Sequence, residues 1–233
     1  MTDRNSQASC IASCFDCSAQ VGIFGGHSHV LANWYHVPGK LAAAKLNRMR
    51  LFTGIAIPED LVDNLARLVD RLRPTAHIAW SAVYNFHITT KFIGEWPEHR
   101  LAEVVHALQQ LPARPPLLIS LTGVGWFPNP HAPRVLWAGV KAEEKLAQLA
   151  GDTDEALHPL GVPRETRRYS PHLTLARIRD TAVPLAPLRQ AIAQLSSIDF
   201  GEFTAEQCHL YLSEPGPSGT IYTQLAEIRF ASK

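Results

Sequence analysis

Two short stretches of the chain carry side chains that can do chemistry together: Phe86-His87-Ile88-Thr89 and Pro171-His172-Leu173-Thr174. Each reads histidine, apolar residue, threonine, and each runs on into apolar and basic residues. Such a run suits a strand, on which successive side chains point to opposite faces. His87 and Thr89 then share one face while Phe86, Ile88 and Thr90 take the other, and His172 and Thr174 repeat the arrangement. Two such strands side by side place two imidazoles and two hydroxyls around one cleft. Imidazole, with an ordinary pKa near about 6.5, gives or takes a proton at neutral pH. A pair of them can serve as general base and general acid, and two hydroxyls can hold phosphate oxygens.

The elements that must position these residues show in the spacing. His172 follows His87 by 172 − 87 = 85 positions, and the same offset relates residues well outside the motifs. Leu51-Phe52-Thr53-Gly54-Ile55 falls on Leu136-Trp137-Ala138-Gly139-Val140, Leu61 on Leu146, Leu72 on Leu157 and Ile93 on Ile178. A strand, a helix and a histidine-bearing strand therefore recur in one order without a gap. The pattern predicts a duplicated, bilobal domain with a pseudo-two-fold axis and a central cleft.

From Arg50 the local signals are regular. Arg50–Ile57 reads as a strand, stopped by Pro58, which also suits the first turn of a helix. Glu59–Arg73 carries an apolar stripe (Leu61, Val62, Leu65, Leu68, Val69, Leu72), with Glu59 and Asp60 at the positive end of the helix dipole. Ile78–Trp80 and Phe86–Ile93 read as strands, Gly94 and Pro97 as breaks, and Glu98–Leu111 as a helix. Strands are predicted at Leu117–Gly125 and Val135–Val140 on either side of a Pro-rich connector, then a helix at Glu143–Leu160. The basic segment Arg164, Arg167, Arg168 leads into a strand at Pro171–Ile178. A helix at Pro184–Leu195 and strands at Phe200–Thr204, Gln207–Ser213 and Thr220–Phe230 follow, with a loop at Gly216–Gly219. Irregular alternation of the two element types predicts an α+β fold with mainly antiparallel sheets.

Composition sets limits. With 233 residues the chain can bury a sizeable core, and a formal net charge of +1 with 18% charged residues argues against a broad nucleic-acid-coating surface. A local basic cluster for a single phosphate remains compatible with that balance. No apolar run approaches the ~20 residues of a membrane span, and four cysteines without a regular framework suit a reducing compartment, so a cytoplasmic location is expected. Residues 1–48 lack sustained periodicity; Cys10, Cys14, Cys17 and the His27, His29 pair are read as a solvated segment rather than a metal or cluster site. This stretch is expected to be a disordered extension or an upstream mis-start, leaving residues 49–233 as the domain.

The chain resembles the two-histidine phosphoesterases and, within them, the RNA 2′,3′-cyclic phosphodiesterases, also called 2′–5′ RNA ligases. The likeness rests on Arg50-Leu51-Phe52, on the first histidine stretch ending Lys91-Phe92-Ile93-Gly94-Glu95, on Phe127-Pro128-Asn129-Pro130 with Pro133-Arg134-Val135-Leu136-Trp137-Ala138-Gly139-Val140, and on Ser170-Pro171-His172-Leu173-Thr174-Leu175-Ala176-Arg177. These pieces span Met49–Lys233. Where the family has Pro-Glu-Asn before its first motif, this chain has Val83-Tyr84-Asn85.

The resemblance implies an enzyme without metal or cofactor that opens a 2′,3′-cyclic phosphate to a 2′-phosphate. It assigns catalysis to His87 and His172, and phosphate binding to Thr89, Thr174 and Arg177. It also suggests that His87 protonates the 3′ oxygen while His172 activates water, although pseudo-symmetry leaves the two roles interchangeable on paper. Weak ATP-independent 2′–5′ ligation would be the same chemistry in reverse. The implied partners are RNA ends (tRNA fragments or oligonucleotides) or small cyclic phosphates, met by a monomer with no membrane contact. The alternatives are a non-catalytic RNA-end or nucleotide-binding module, and a phosphodiesterase for a small cyclic phosphate or 2′–5′ oligonucleotide.

Overall fold

The computed structural model describes residues 47–142, 144–195, 198–217 and 219–231. The first half of the chain gives β1 (Arg48–Ala56), α1 (Glu59–Leu72), β2 (Ala79–Trp80), β3 (His87–Pro97), α2 (Leu101–Gln109) and β4 (Leu117–Phe127). The second gives β5 (Val135–Lys141), α3 (Lys145–Leu157), β6 (His172–Arg177), α4 (Ala186–Ala193), β7 (Asp199–Ala205), β8 (Gln207–Gly216) and β9 (Gly219–Arg229). The 85-residue offset carries α1 onto α3, β3 onto β6 and α2 onto α4.

All strand pairings are antiparallel, in the order β7-β4-β5-β6-β3-β1-β8-β9, with β2 pairing β6 off this path. The order reads as two four-stranded lobes placed back to back. Lobe one is β3, β1, β8 and β9; lobe two is β6, β5, β4 and β7. At the centre β3 and β6 pair through a single register position, Ile88 opposite Leu173. Beyond it the strands splay, and β2 takes the place of β3 beside β6, pairing Ala79 with Arg177.

The helices cover the lobes crosswise. On α1 the buried residues Leu61, Leu65, Leu68, Val69 and Leu72 form the apolar stripe that periodicity requires, and the helix lies against β7 of lobe two. There the Asn64 side-chain amide donates to the Phe200 carbonyl at 2.8 Å, and Leu61 lies beneath Gly201. In the same way α3 lies against β3 of lobe one, where Lys91 pairs with Asp154 and donates to the Pro163 carbonyl at 2.8 Å. Leu51, Ile88, Leu136 and Leu173 from the inner strands join one continuous buried core with Leu65 and Leu149 from these helices.

Element ends differ from the sequence expectations in places. Gly94 does not end β3: at φ +85° it follows a bulge whose extra residue is Ile93, it pairs with Leu51, and pairing with β1 continues to Pro97. Glu98–Arg100 is a turn of 3₁₀ helix, and α2 proper starts only at Leu101. The third helix closes likewise as 3₁₀ at His158–Leu160, and β4 runs two residues past Gly125. The loop expected at Gly216–Gly219 is the tip of the β8–β9 hairpin. Most of the extension, with Cys10, Cys14, Cys17, His27 and His29, lies outside the described residues.

Candidate active site

His87 opens β3 and His172 opens β6, so the one register pair between these strands, Ile88 opposite Leu173, brings both histidines to the crossing of the lobes. Ile88 and Leu173 are fully buried, while His87, Thr89, His172 and Thr174 are half-buried on the opposite face. Alternation thus sorts the motif as expected. Two glycines make room. Gly54 on β1 stands opposite Thr89, where a Cβ would lie 2.9 Å from the Ile88 carbonyl oxygen and 3.3 Å from the His87 ring. Its counterpart at the repeat offset, Gly139, stands opposite His172, where a Cβ would lie 2.3 Å from the Thr122 carbonyl oxygen.

Both imidazoles are anchored alike. His87 Nδ1 donates to the Asn85 carbonyl at 2.7 Å and His172 Nδ1 to the Ser170 carbonyl at 2.8 Å. A carbonyl can only accept, so each neutral ring carries its proton on Nδ1 and keeps the Nε2 lone pair open. Each ring is also flanked by an aromatic ring set nearly at right angles to it. Tyr222 lies 5.1 Å from His87 at 89°, and Phe127 lies 4.9 Å from His172 at 87°. Phe52 adds a tilted ring 4.8 Å from His87.

The environment resists positive charge on the rings. Burial pushes His87 down to a pKa of about 4, against the Asn85 carbonyl, with the charges of Arg177 and His172 acting in the same direction as burial. His172 is lowered too, first by burial and then by Arg177, against the Ser170 carbonyl. The halves are not equivalent, however. The Thr89 hydroxyl lies 2.9 Å from His87 Nε2, whereas among the described residues His172 Nε2 has no hydrogen-bond partner within the protein.

Strict alternation would put Arg177, five positions after His172, on the buried face. The structure puts it at the exposed end of β6, with its charge felt at both histidines. The reason is a bulge: Trp137 pairs Thr174 and Leu136 pairs Ala176, so Leu175 is an extra residue that reverses the alternation. β3 bears the same bulge at Thr90, 85 positions earlier, where Gly54 pairs Thr89 and Thr53 pairs Lys91. The buried Thr90 hydroxyl is satisfied by Thr53 at 2.7 Å. The residue equivalent to Arg177 is therefore Phe92, an aromatic side chain 60% exposed.

Sequence reasoning left several partners unnoticed. Among them are the carbonyls of Asn85 and Ser170, the rings of Tyr222 and Phe127, and Tyr169, whose hydroxyl donates to the Thr89 carbonyl at 2.9 Å. The repeat held a clue to Tyr169, because Tyr84 precedes the first motif at the same distance. Arg164 pairs with Glu155 at the surface, and Arg167 and Arg168 are exposed. No group of three or more His, Cys, Asp or Glu side chains that could hold a metal occurs among the described residues. Nor, among them, is any helix long and apolar enough to cross a membrane.

Comparison with known proteins agrees with this architecture. Residues 55–137 and 139–222, close to the two halves of the repeat, match the family described as LigT-like phosphoesterase. A Methanocaldococcus jannaschii protein named RNA 2′,3′-cyclic phosphodiesterase is 35% identical over 179 residues, covering 77% of this chain and 99% of that protein. A protein of the same name from Archaeoglobus fulgidus is 33% identical, covering 76% and 98%. The crystal structure of TT0787 from Thermus thermophilus superposes with a TM-score of 0.66 at 28% identity, covering 78% of this chain and 98% of that one. Escherichia coli LigT complexed with 3′-AMP shares the fold, with a TM-score of 0.67 at 22% identity, covering 80% and 100%. A duplicated fold, a histidine-threonine pair in each half and a likeness that spans nearly the whole length of these relatives lead to one conclusion: the chain belongs to the LigT-like phosphoesterase family.

Proposed function

We propose that this protein hydrolyses RNA 2′,3′-cyclic phosphate ends to 2′-phosphates by acid–base catalysis between His172 and His87, without a metal or cofactor. The observation that carries the reading is the matched pair of imidazoles, each with Nδ1 held by the carbonyl two residues before it, so that Nε2 is the nitrogen turned to proton transfer. His172 Nε2, which has no hydrogen-bond partner among the described residues, takes a proton from water as the water oxygen bonds to phosphorus. The bond from phosphorus to the 3′ oxygen breaks, and His87, in its protonated form, delivers a proton to that oxygen from Nε2, where the Thr89 hydroxyl steadies the ring. Thr89, Thr174 and Arg177 hold the non-bridging oxygens and stabilise charge developing on them. With a 5′ hydroxyl in place of water as the nucleophile, the same groups join it to phosphorus as the bond to the 3′ oxygen breaks, which gives weak 2′–5′ ligation without ATP.

The names of the Methanocaldococcus and Archaeoglobus relatives support the choice of substrate. We further propose a cytoplasmic monomer acting on RNA ends, since one chain supplies both histidines and all three phosphate-holding groups. Hydrolysis of a cyclic-phosphate-ended oligonucleotide, followed by phosphorus NMR, tests the proposal: the product should be a 2′-phosphate and the rate should survive EDTA. His87→Ala and His172→Ala should each lose at least ~10²-fold, and the double variant little more, because the two act as a unit. A 3′-phosphate product, a metal requirement or a histidine variant of near-normal rate refutes it.

A further inference from the structure

At His87 there is a cavity of about 500 Å³, lined by this histidine together with Val62, Tyr84, Asn85, Tyr211, Tyr222 and Gln224 among others. Resting on the cyclic phosphodiesterase reading, we propose that this cavity receives the nucleobase of the second nucleotide from the RNA end, the one 5′ to the nucleotide bearing the cyclic phosphate.

The lining excludes a phosphate and suits a base. It contains no Lys, Arg, Asp or Glu. What it offers instead is three tyrosines and two side-chain amides, the groups with which proteins stack unpaired bases and read their edges. The Asn85 amide donates to the Thr220 carbonyl at 2.5 Å, tying the turn before His87 to β9, and Gln224 reaches the Tyr211 hydroxyl at 3.5 Å. That leaves the Gln224 amide oxygen available to a base edge. Tyr84 is the clearest sign. Its counterpart at the repeat offset, Tyr169, is held by the Thr89 carbonyl, whereas Tyr84 is 68% exposed with no hydrogen-bond partner among the described residues. One half of the repeat uses this tyrosine to brace the site, and the other presents it to the cavity.

The position relative to His87 selects the second nucleotide over the first. Apart from Val62 on α1, every lining residue belongs to the strands of lobe one or to the segments that join them, and His87 but not His172 is among them, so the cavity opens from the cleft on the lobe-one side of His87. The reacting phosphorus sits between the two imidazoles. With His87 beside the 3′ oxygen, the ribose carbons next in line are C4′ and C5′, which lead along the chain past His87. The terminal base hangs from C1′, beside the 2′ oxygen and toward His172. The chain therefore runs from the cleft across His87 to the cavity, and the base that arrives there is the second one.

The test compares the full chain acting on adenosine 2′,3′-cyclic phosphate and on the dinucleotide ApA ending in a 2′,3′-cyclic phosphate, read as kcat/KM. The wild-type protein should prefer the dinucleotide by ~10-fold or more, the effect of one stacked base. Tyr84→Ala should remove most of that preference while changing the mononucleotide rate by less than about twofold, and Tyr84→Phe, which keeps the ring, should retain it. Equal wild-type rates on the two substrates overturn the proposal, as does a Tyr84→Ala variant slowed alike on both, which would assign the cavity to the first base. Failure to hydrolyse either substrate overturns the phosphodiesterase reading itself, a distinct outcome.

Discussion

The protonation of two imidazoles decides when this site can turn over. The proposed chemistry needs one ring neutral and one protonated, yet burial lowers both, His87 to about 4 and His172 below its usual 6.5. In the free protein at pH 7 both rings are neutral. The bell-shaped profile of kcat/KM should therefore lie on the acid side of neutrality, with its alkaline limb below 6.5 and its acid limb near 4. A profile centred at or above pH 7 would contradict this. The same shift bears on stability. Between 6.5 and 4 the unfolded chain protonates at His87 and the folded chain does not, so stability is full above 6.5 and declines on acidification. The loss approaches roughly 3 kcal/mol by pH 4, and His87→Gln should flatten that part of the pH dependence in urea unfolding. At Arg177 the loss is of charge-assisted hydrogen bonds, each worth roughly 1.5–3 kcal/mol. Arg177→Met should thus slow turnover or weaken phosphate binding by ~10–150-fold with the fold intact. Thr174→Val should lose less, and Thr89→Val more than Thr174→Val, because only Thr89 also contacts a histidine nitrogen. An Arg177 variant of normal kinetics would remove that residue from the site.

At the scale of elements, the strands do more than alternate. Period-two reasoning placed His87, Thr89, His172 and Thr174 on their shared faces, and the helical stripe of α1 was readable residue by residue. Arg177 reaches the cleft only because Leu175 interrupts the pairing of β6 with β5, and a bulge leaves no mark in a run as evenly apolar as Leu173-Thr174-Leu175-Ala176. Thr90 hid the matching bulge on β3 because a buried threonine reads as polar until its partner, Thr53, is known. Tyr169 was equally illegible, since its value lies in a contact 80 positions away in sequence. That contact ties the segment before β6 to the backbone of β3, joining the approaches to the two histidines. Tyr169→Phe removes the hydroxyl and leaves the half-buried Thr89 carbonyl unmatched, so stability should fall by about 1 kcal/mol. If the bond also holds the first motif in register, kcat should drop several-fold with KM little changed, measured on any cyclic phosphate substrate. A change in Tm alone would reduce Tyr169 to a structural contact.

For the whole molecule, the repeat found in the sequence is not the unit that folds. The offset of 85 pairs β1 with β5, α1 with α3 and β3 with β6, but each half sends elements into the other. β4 of the first half pairs with β5 in lobe two, and β8 of the second half pairs with β1 in lobe one. The helices α1 and α3 are exchanged as well, with the pairing of buried Lys91 and half-buried Asp154 fixing the second of them. Linear self-similarity reveals that two copies exist and says nothing about which copy's strand completes which sheet. The exchange makes the lobes inseparable, because neither half of the chain contains a complete lobe. It also defines the domain, which we propose to be residues 49–233. Among the described residues, a chain beginning at Met49 loses the pairing of Arg48 with Pro97 and the acceptor that Asn47 offers to the Glu98 amide at 3.0 Å. Both losses fall at the solvent-exposed end of β1, far along the strand from Gly54 and His87. Such a chain should fold cooperatively, melt within a few degrees of the full-length protein and hydrolyse cyclic phosphate ends at a rate within about twofold, since one exposed strand-end hydrogen bond is worth on the order of 1 kcal/mol. Circular dichroism melts and steady-state kinetics on the two proteins measure this directly. A shortened chain that fails to fold, or folds without turnover, would mean that residues before Met49 complete the site or the core.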